Sequence, residues 1–217
     1  EARKLKLEPA PIHLSNFLEG VADITYLKAE EKGLQFVYDQ SFQLPQIITA
    51  DEQRLRQVLL NLLTNAIKFT DKGTIIFKVH PVLAASDDAE STAISTGSLD
   101  KTHTLRFEVR DTGIGMTSEQ LMSIFRPFEQ VGDNEKKKQG TGLGLAISSQ
   151  IVDMMKSNIQ VESSVDKGST FWFDLTVHPA EEAYMKHAPD HTIINGFVGE
   201  PKRILVVDDN ADNRSLI

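Results

Sequence analysis

The 217-residue sequence contains no cysteine, which excludes disulfide bonds and thiolate metal sites and fits a reducing compartment. It also has no excess of basic residues: 23 Lys and Arg stand against 31 Asp and Glu, a formal net charge of −8. We therefore expect no nucleic-acid partner, because surfaces that bind nucleic acids are basic. Apolar runs of the roughly 20 residues that a membrane span needs are missing as well. These absences predict a cytoplasmic segment without membrane contact, and they leave membrane anchoring of the parent protein open.

The sequence does contain enough apolar material for a core, since hydrophobic residues make up 40% of it. Its length suits one good-sized domain with attachments, or two small domains. The sequence opens at Glu1 without a methionine, and we expect it to be a piece of a longer protein.

Apolar residues at three- and four-residue spacing predict two long helices, residues 14–32 and 51–69. Ser15 is the expected N-cap of the first helix and Gly33 its end, and Asp51 is the expected N-cap of the second. Two further helices are predicted, at residues 118–125 and 143–155.

Alternating apolar residues predict strands at residues 34–38, 74–82, 104–110, 159–163 and 169–177. The helices and hairpin strands mix without a regular βαβ alternation, which indicates an α+β fold. We expect a two-layer α/β sandwich with helices on one face of a mixed β-sheet. Two polar stretches without apolar periodicity, residues 84–101 and 129–139, are predicted to be mobile.

Three polar residues of the second long helix, Asn61, Asn65 and Lys68, fall within an arc of about 60° at the edge of its apolar face. Amide oxygens are hard ligands that suit Mg²⁺, and a neighbouring lysine suits a phosphate. A solvated polar stripe has the same spacing, so the pattern alone leaves both interpretations open.

Two glycine-rich segments are candidate binding loops. Asp111-Thr112-Gly113-Ile114-Gly115 follows a predicted strand, where it is either a tight turn or a carboxylate that accepts a hydrogen bond from an exocyclic amine. The segment 140–145, Gly-Thr-Gly-Leu-Gly-Leu, opens a predicted helix, whose first N–H groups can bind an anion. It matches neither a Walker A sequence nor a dinucleotide fingerprint, and alone it is weak support for a phosphate site.

In their order along the chain, these segments resemble the sequence boxes of sensor histidine kinases. Residues 51–70 resemble the asparagine box, 111–115 the first glycine box, Phe125-Arg126-Pro127-Phe128 the phenylalanine box, 140–145 the second glycine box, and Gly168-Ser169-Thr170-Phe171 the closing strand. The resemblance covers roughly residues 10 to 178. It implies the ATP-binding fold of the GHKL (Bergerat) proteins, with ATP and Mg²⁺ bound under a flexible lid at residues 116–139.

The resemblance also implies a role for single residues. Asn65 would be the Mg²⁺ ligand, with Asn61 beside it as a second metal-site residue. Lys68 would contact phosphate, and Phe69 would lie against the nucleotide. Asp111 would recognise the adenine amine. The other residues implied in nucleotide binding are Gly113 and Gly115 at the base, Gly140, Thr141, Gly142, Leu143 and Gly144 at the phosphates, and Thr170. Lys136 is a candidate substitute for the γ-phosphate cation, because Gln130 stands where some family members have an arginine.

The activity implied by the resemblance is transfer of the ATP γ-phosphoryl group to a histidine, as a protein-histidine kinase. That histidine belongs to a separate dimerisation domain, and none of the six histidines here has the His-Glu-x-x-Thr-Pro setting of a phosphoacceptor. We therefore assign no catalytic residue within this chain and expect it not to phosphorylate itself. The implied partners are this dimerisation domain and a receiver domain, in a parent protein that forms a homodimer.

The sequence departs from the kinase pattern at three places. Gln139 stands where the second glycine box often has a glycine, Gln130 where some members have an arginine, and Lys156-Ser157 where Gly-Gly is usual. These departures keep a second hypothesis open, a catalytically silent nucleotide-binding regulatory module of the same fold. A hydrolytic ATPase of the same fold needs a glutamate base where Asn61 stands, and an amide cannot take up a proton at neutral pH.

We expect four segments along the chain. Residues 1–12 are the end of a linker, 13–178 the ATP-binding catalytic domain, and 179–201 a second linker. Residues 202–217 resemble the start of a receiver domain, because a buried-strand pattern at residues 204–207 is followed by Asp208 and Asp209. This last resemblance implies a hybrid histidine kinase.

Overall fold

The computed structural model describes residues 6–82, 102–129 and 141–179. These ranges contain seven strands and four helices. In chain order they are β1 (Ala10–His13), α1 (Leu14–Glu31), β2 (Gln35–Gln40), β3 (Ile47–Ala50), α2 (Glu52–Phe69), β4 (Thr74–Pro81), β5 (His103–Asp111), α3 (Ser118–Leu121), α4 (Gly144–Met154), β6 (Gln160–Ser164) and β7 (Gly168–Pro179). Within these ranges no helix has both the length and the apolar character that crossing a membrane requires.

The strands form one mixed sheet in the order β1-β3-β7-β5-β4-β2, with β6 also paired to β7. β2 and β4 are parallel, and the other neighbours are antiparallel. α1, α2 and α4 cover one face and share a single apolar core with it. The predicted α+β sandwich with helices on one face of a mixed sheet is therefore confirmed.

Strand alternation builds the sheet side of this core. Phe77, Phe107 and Phe173 are fully buried, and the Phe107 and Phe173 rings stack with their centroids 5.1 Å apart. The side chains between them point to the opposite face, where Arg106 and Asp174 form an ion pair at 2.7 Å. Helix α2 supplies the opposing layer through fully or almost fully buried leucines, Leu55, Leu59, Leu62 and Leu63. Their three- and four-residue spacing keeps one face of α2 on the sheet.

Two of the three predicted helix signals are confirmed. Asp51 caps α2: its Oδ1 accepts from Arg54 N at 3.0 Å, and its Oδ2 accepts from Glu8 N at 2.8 Å. Gly33 follows the end of α1 with a left-handed φ of +72°. The N-cap prediction for Ser15 is wrong, because α1 already begins at Leu14. The Ser15 hydroxyl instead accepts a hydrogen bond from Gln40 Nε2 at 3.0 Å.

Two short strands, β1 and β3, were not predicted, and β1 lies mostly before the predicted start of the domain at residue 13. Ile12 of β1 pairs with Ile48 of β3. The end of the predicted first linker therefore lies in the sheet. β7 extends to Pro179, which pairs with Ile48 and is the first residue of the predicted second linker. The polar stretch at 84–101, the predicted lid from residue 130 onward, residues 180–201 and the receiver-like residues 202–217 lie outside the described residues.

Lys156 ends α4 in the conformation that a glycine usually adopts. Its φ is +61°, its N–H donates to Asp153 O at 3.0 Å, and the Ser157 N–H donates to Val152 O at 3.0 Å. These two bonds are the pattern of a Schellman ending. The departure from Gly-Gly at this position therefore keeps the backbone geometry and places a β-carbon in the left-handed region.

We predict that Lys156→Gly raises the free energy of unfolding by up to about 1 kcal/mol, because glycine adopts a positive φ without steric cost. Part of the gain is lost to the greater freedom of glycine in the unfolded chain. Urea denaturation measures the change. Lys156→Ala is the matched control, since it removes the same side chain but keeps the β-carbon, and it should give no gain. Equal stability of the two variants would contradict this explanation.

Candidate nucleotide-binding site

A cavity of about 340 Å³ opens between α2, the turn after β5 and the start of α4. Its lining combines polar and apolar residues. The described residues that line it are Asn61, Thr64, Asn65, Ala66, Lys68, Phe69, Asp111, Ile114, Gly115, Met116, Ile124, Glu129, Thr141, Gly142, Gly144, Leu145, Ser169 and Phe171.

Asp111 is a buried carboxylate at the end of β5, with 5% of its surface exposed. Its Oδ1 accepts from Gly113 N at 2.8 Å and from Ser169 N at 3.3 Å. Burial raises the pKa of the Asp111 carboxyl, and the two backbone hydrogen bonds oppose that rise. The two backbone donors therefore hold one oxygen of this carboxyl in place at the wall of the cavity.

Glycines allow the backbone around Asp111 to approach closely. A β-carbon on Gly113 would collide with the Phe69 carbonyl oxygen, and one on Gly115 would collide with the Ser164 carbonyl. Gly115 also has a φ of +64°. The end of α2, the turn after β5 and the β6–β7 turn therefore meet at one point only because these positions have no side chain.

The last turn of α2 presents three residues to the cavity: Asn65, Lys68 and Phe69. The Lys68 ammonium lies 5.1 Å from the centre of the Phe69 ring, a cation–π distance. Desolvation lowers the pKa of Lys68. Two α2 residues thus give the cavity wall an amide and a cation, and the third gives it an aromatic face.

Asn61 joins α2 to α4. Its Nδ2 donates to the Ser148 hydroxyl at 2.9 Å, and Ser148 is only 1% exposed. A β-carbon on Gly144 would collide with Asn61 Oδ1, so a larger residue where α4 begins would displace the Asn61 side chain. Thr141 and Gly142 precede this helix and line the same end of the cavity. The first turn of α4, whose N–H groups have no partner within the helix, therefore lies beside Asn61 in the middle of α2.

The structure brings most of the predicted binding residues to the cavity: Asn61, Asn65, Lys68, Phe69, Asp111, Gly115, Thr141, Gly142 and Gly144. Gly113 lies behind Asp111, and Leu143 is the N-cap of α4. Thr170 does not line the cavity, because it alternates to the other face of β7. Lys136 and Gly140 lie outside the described residues. The roles of all these residues stay predictions.

Several lining residues were missed from the sequence. Ser169 pairs directly with Asp111 across β5 and β7, and Ser169 and Phe171 therefore face the cavity where Thr170 was predicted. Ile114 lay inside a predicted motif as the residue between two glycines, which was a usable signal. Ile124 follows α3 and is 5% exposed; its apolar character alone indicated only a core residue.

Comparison with known proteins gives the family. Residues 50–179, more than half of the chain, match the pattern of the histidine kinase-, DNA gyrase B-, and HSP90-like ATPases. The chain belongs to this ATPase family. The cavity described above is thus the part of the family fold in which the predicted nucleotide-binding boxes meet.

Two individual proteins have sequences similar to most of this chain. The chain is 36% identical over 180 residues to the aerobic respiration control sensor protein ArcB of Escherichia coli K12, covering 82% of this chain and 21% of ArcB. It is 29% identical over 216 residues to hybrid signal transduction histidine kinase K of Dictyostelium discoideum, covering 99% of this chain and 17% of that protein. The chain therefore spans about a fifth of such relatives.

A solved structure has a similar fold. Full-length ShkA, crystallised in complex with AMPPNP, superposes with a TM-score of 0.63 at 33% identity, covering 82% of this chain and 33% of ShkA. This domain is similar to the catalytic domains of sensor histidine kinases.

The raised pKa of the buried Asp111 carboxyl predicts how the stability of the protein depends on pH. Its pKa is raised in the folded protein, so its stabilising contribution is complete below the ordinary aspartate pKa and is lost as the pH rises through the folded pKa. Asp111→Asn does not ionise, and its oxygen can keep both backbone bonds. The nucleotide-free variant should therefore gain stability relative to the wild type between about pH 4 and pH 7. Urea denaturation at about pH 4 and at about pH 7 measures the stability difference between Asp111→Asn and the wild type. A stability difference that is the same at both pH values would refute the prediction.

Proposed function

We propose that this chain is the ATP-binding catalytic domain of a hybrid sensor histidine kinase and transfers the ATP γ-phosphoryl group to a histidine of a separate dimerisation domain. The observation that supports it best is the meeting of Asp111, the polar end of α2 and the N-terminus of α4 around one cavity. An adenine, a metal and a triphosphate need these three kinds of group. The parent protein would be homodimeric.

At the base end, Asp111 would accept a hydrogen bond from the adenine amine. Gly113 N and Ser169 N already bind its Oδ1, which leaves Oδ2 for the ligand. Phe69, Ile114 and Met116 line the cavity and would contact the nucleotide. A carboxylate without a proton distinguishes an amine donor from a carbonyl acceptor, which favours adenine over guanine.

At the phosphate end, the first N–H groups of α4 and the Lys68 ammonium would contact phosphate oxygens. Asn65 offers a neutral amide oxygen for Mg²⁺, and the described residues include no cluster of three or more His, Cys, Asp or Glu. This donor set fits a magnesium ion that takes most of its ligands from phosphates and water. When bound, the ion would neutralise charge on the phosphates.

Asn61 favours transfer over hydrolysis. It is an amide, it donates to Ser148 and it cannot take a proton from water. In the transfer, the bond between the γ-phosphorus and the β–γ bridging oxygen breaks, a bond from phosphorus to the acceptor histidine nitrogen forms, and ADP leaves. The chain's own residues would position the nucleotide while the acceptor histidine supplies the nucleophile.

We also propose that the parent protein contains a receiver domain. This proposal rests on the resemblance of residues 203–210 to a first receiver strand with two acidic residues. It is supported by the word "hybrid" in the name of a relative that aligns with 99% of this chain. Such a receiver would take the phosphoryl group from the histidine. We also infer a cytoplasmic location for this segment.

Calorimetric titration with Mg-ATP tests the site. Asp111→Asn should lower the affinity at least about a hundredfold, because its oxygen stays on the two backbone donors and its NH₂ then opposes the adenine amine. Asp23→Asn, an exposed change on α1, is the matched control and should bind ATP as the wild type does. Unchanged affinity in Asp111→Asn would refute the assignment of the base pocket.

The variant Asn65→Ala tests whether Asn65 is a ligand of the Mg²⁺ ion. Its ATP affinity in the presence of Mg²⁺ should fall to the affinity measured without Mg²⁺, because the protein ligand of the ion is gone. The affinity without Mg²⁺ should equal that of the wild type, which controls for damage to the fold. A variant that keeps the full Mg²⁺ dependence would exclude Asn65 as the ligand.

Transfer is tested by adding a histidine-containing dimerisation domain and following label from [γ-³²P]ATP. Label should appear on the added domain and not on this chain. Binding of ATP without any transfer would instead identify a silent regulatory module, and release of phosphate without an acceptor would identify a hydrolytic ATPase.

A further inference from the structure

Lys32 connects α1 to the end of the helix that carries the predicted metal and phosphate residues. It follows α1, and its Nζ donates to three carbonyl oxygens at the end of α2: Ile67 O at 2.7 Å, Lys68 O at 3.1 Å and Thr70 O at 2.7 Å. Asp71 Oδ1 lies 3.7 Å from the same ammonium. One side chain thus binds a whole turn of backbone more than thirty residues away.

The carbonyl groups at the end of α2 need a hydrogen-bond donor from outside the helix. The last carbonyls of a helix have no partner within it, and the helix dipole places partial negative charge there. The usual ending turns back through a left-handed residue that returns N–H groups to these carbonyls. Thr70 is instead extended, with φ −106° and ψ 116°, and the chain leaves α2 directly. The ammonium of Lys32 takes the place of that turn.

The turn that Lys32 holds belongs to the nucleotide site. Lys68 and Phe69 both line the cavity, and the Phe69 carbonyl accepts from Ile114 N at 3.3 Å. The same carbonyl is the atom against which Gly113 packs so closely. A shift of the α2 end would therefore move the Lys68 ammonium and the loop that positions Asp111 together.

We propose that Lys32 is a positioning residue for nucleotide binding, which fixes the C-terminal turn of α2 and through it the phosphate contact of Lys68. Lys32 does not line the ATP cavity itself. The inference rests on the proposed function, since it takes Lys68 as a phosphate contact.

The test measures ATP affinity by calorimetry at a temperature below the melting transition of each variant. Lys32→Met keeps the apolar stem and removes the donor, and it should lower the affinity about tenfold. Lys32→Arg, which can still donate to several carbonyls, should restore most of it. Lys28→Met is the matched control: this exposed lysine lies one turn earlier on α1, and its loss should leave the affinity unchanged.

A double-mutant cycle separates positioning from general stabilisation. Lys68→Met should weaken ATP binding in the wild type, and it should weaken it much less when Lys32 is already methionine, because Lys68 is then no longer held in place. If Lys32→Met lowers only the melting temperature, or if the effect of Lys68→Met is the same in both backgrounds, the inference is wrong.

The outcomes also separate this inference from the proposed function. A wild-type chain that binds no ATP would overturn both, whereas ATP binding that is equal in wild type and Lys32→Met would overturn the inference alone. Should Lys32→Met fail to fold, Lys32→Gln keeps one amide donor and gives the same cycle, with an expected affinity between those of Lys32→Met and the wild type.

Discussion

Burying the Asp111 carboxylate costs free energy, and the fold offsets that cost only in part through two backbone donors, Gly113 N and Ser169 N. Each donor is available because main chain approaches main chain closely. A β-carbon on Gly168 would collide with the Asp111 carbonyl, and one on Gly113 with the carbonyl of Phe69. This part of the cavity therefore depends on one constraint, that three backbone segments converge on a single buried carboxylate. A site of this kind sacrifices stability for a fixed acceptor, which is common at binding sites.

Helix α2 carries the other half of the site, and polar contacts fix it at three points along its length. Asp51 holds its first turn, Asn61 ties its middle to Ser148 on α4, and Lys32 binds its last carbonyls. Between these points its leucines hold it to the sheet. Asn65 and Lys68 thus project from a rigid element and not from a loop, which limits the freedom that a ligand must remove on binding.

Local patterns predicted most of this fold, and long-range pairing accounts for what they missed. α1 and α2 are long and periodic, so their apolar faces were visible in the sequence. β1 and β3 have four residues each, too few to show a clear alternation, and they are held in the sheet by pairing that includes Ile12 with Ile48. The cavity was predictable in outline because its boxes are short and contiguous. Strand alternation could have separated Ser169 from Thr170, because Ser169 shares a face of β7 with Phe171 and Thr170 does not. The register that sets Ser169 opposite Asp111 could not be predicted, because it depends on pairing between distant strands.

The contact between Asn61 and Ser148 bears on the choice between the proposed transfer and hydrolysis. Related ATPases that hydrolyse ATP use a glutamate base at the position of Asn61, yet a glutamate here would meet an obstacle. The Ser148 hydroxyl would donate to the carboxylate and make it a weaker base. The lack of a carboxylate base at Asn61 therefore agrees with the proposed transfer, in which a nucleophile of another domain, and not water, would accept the phosphoryl group.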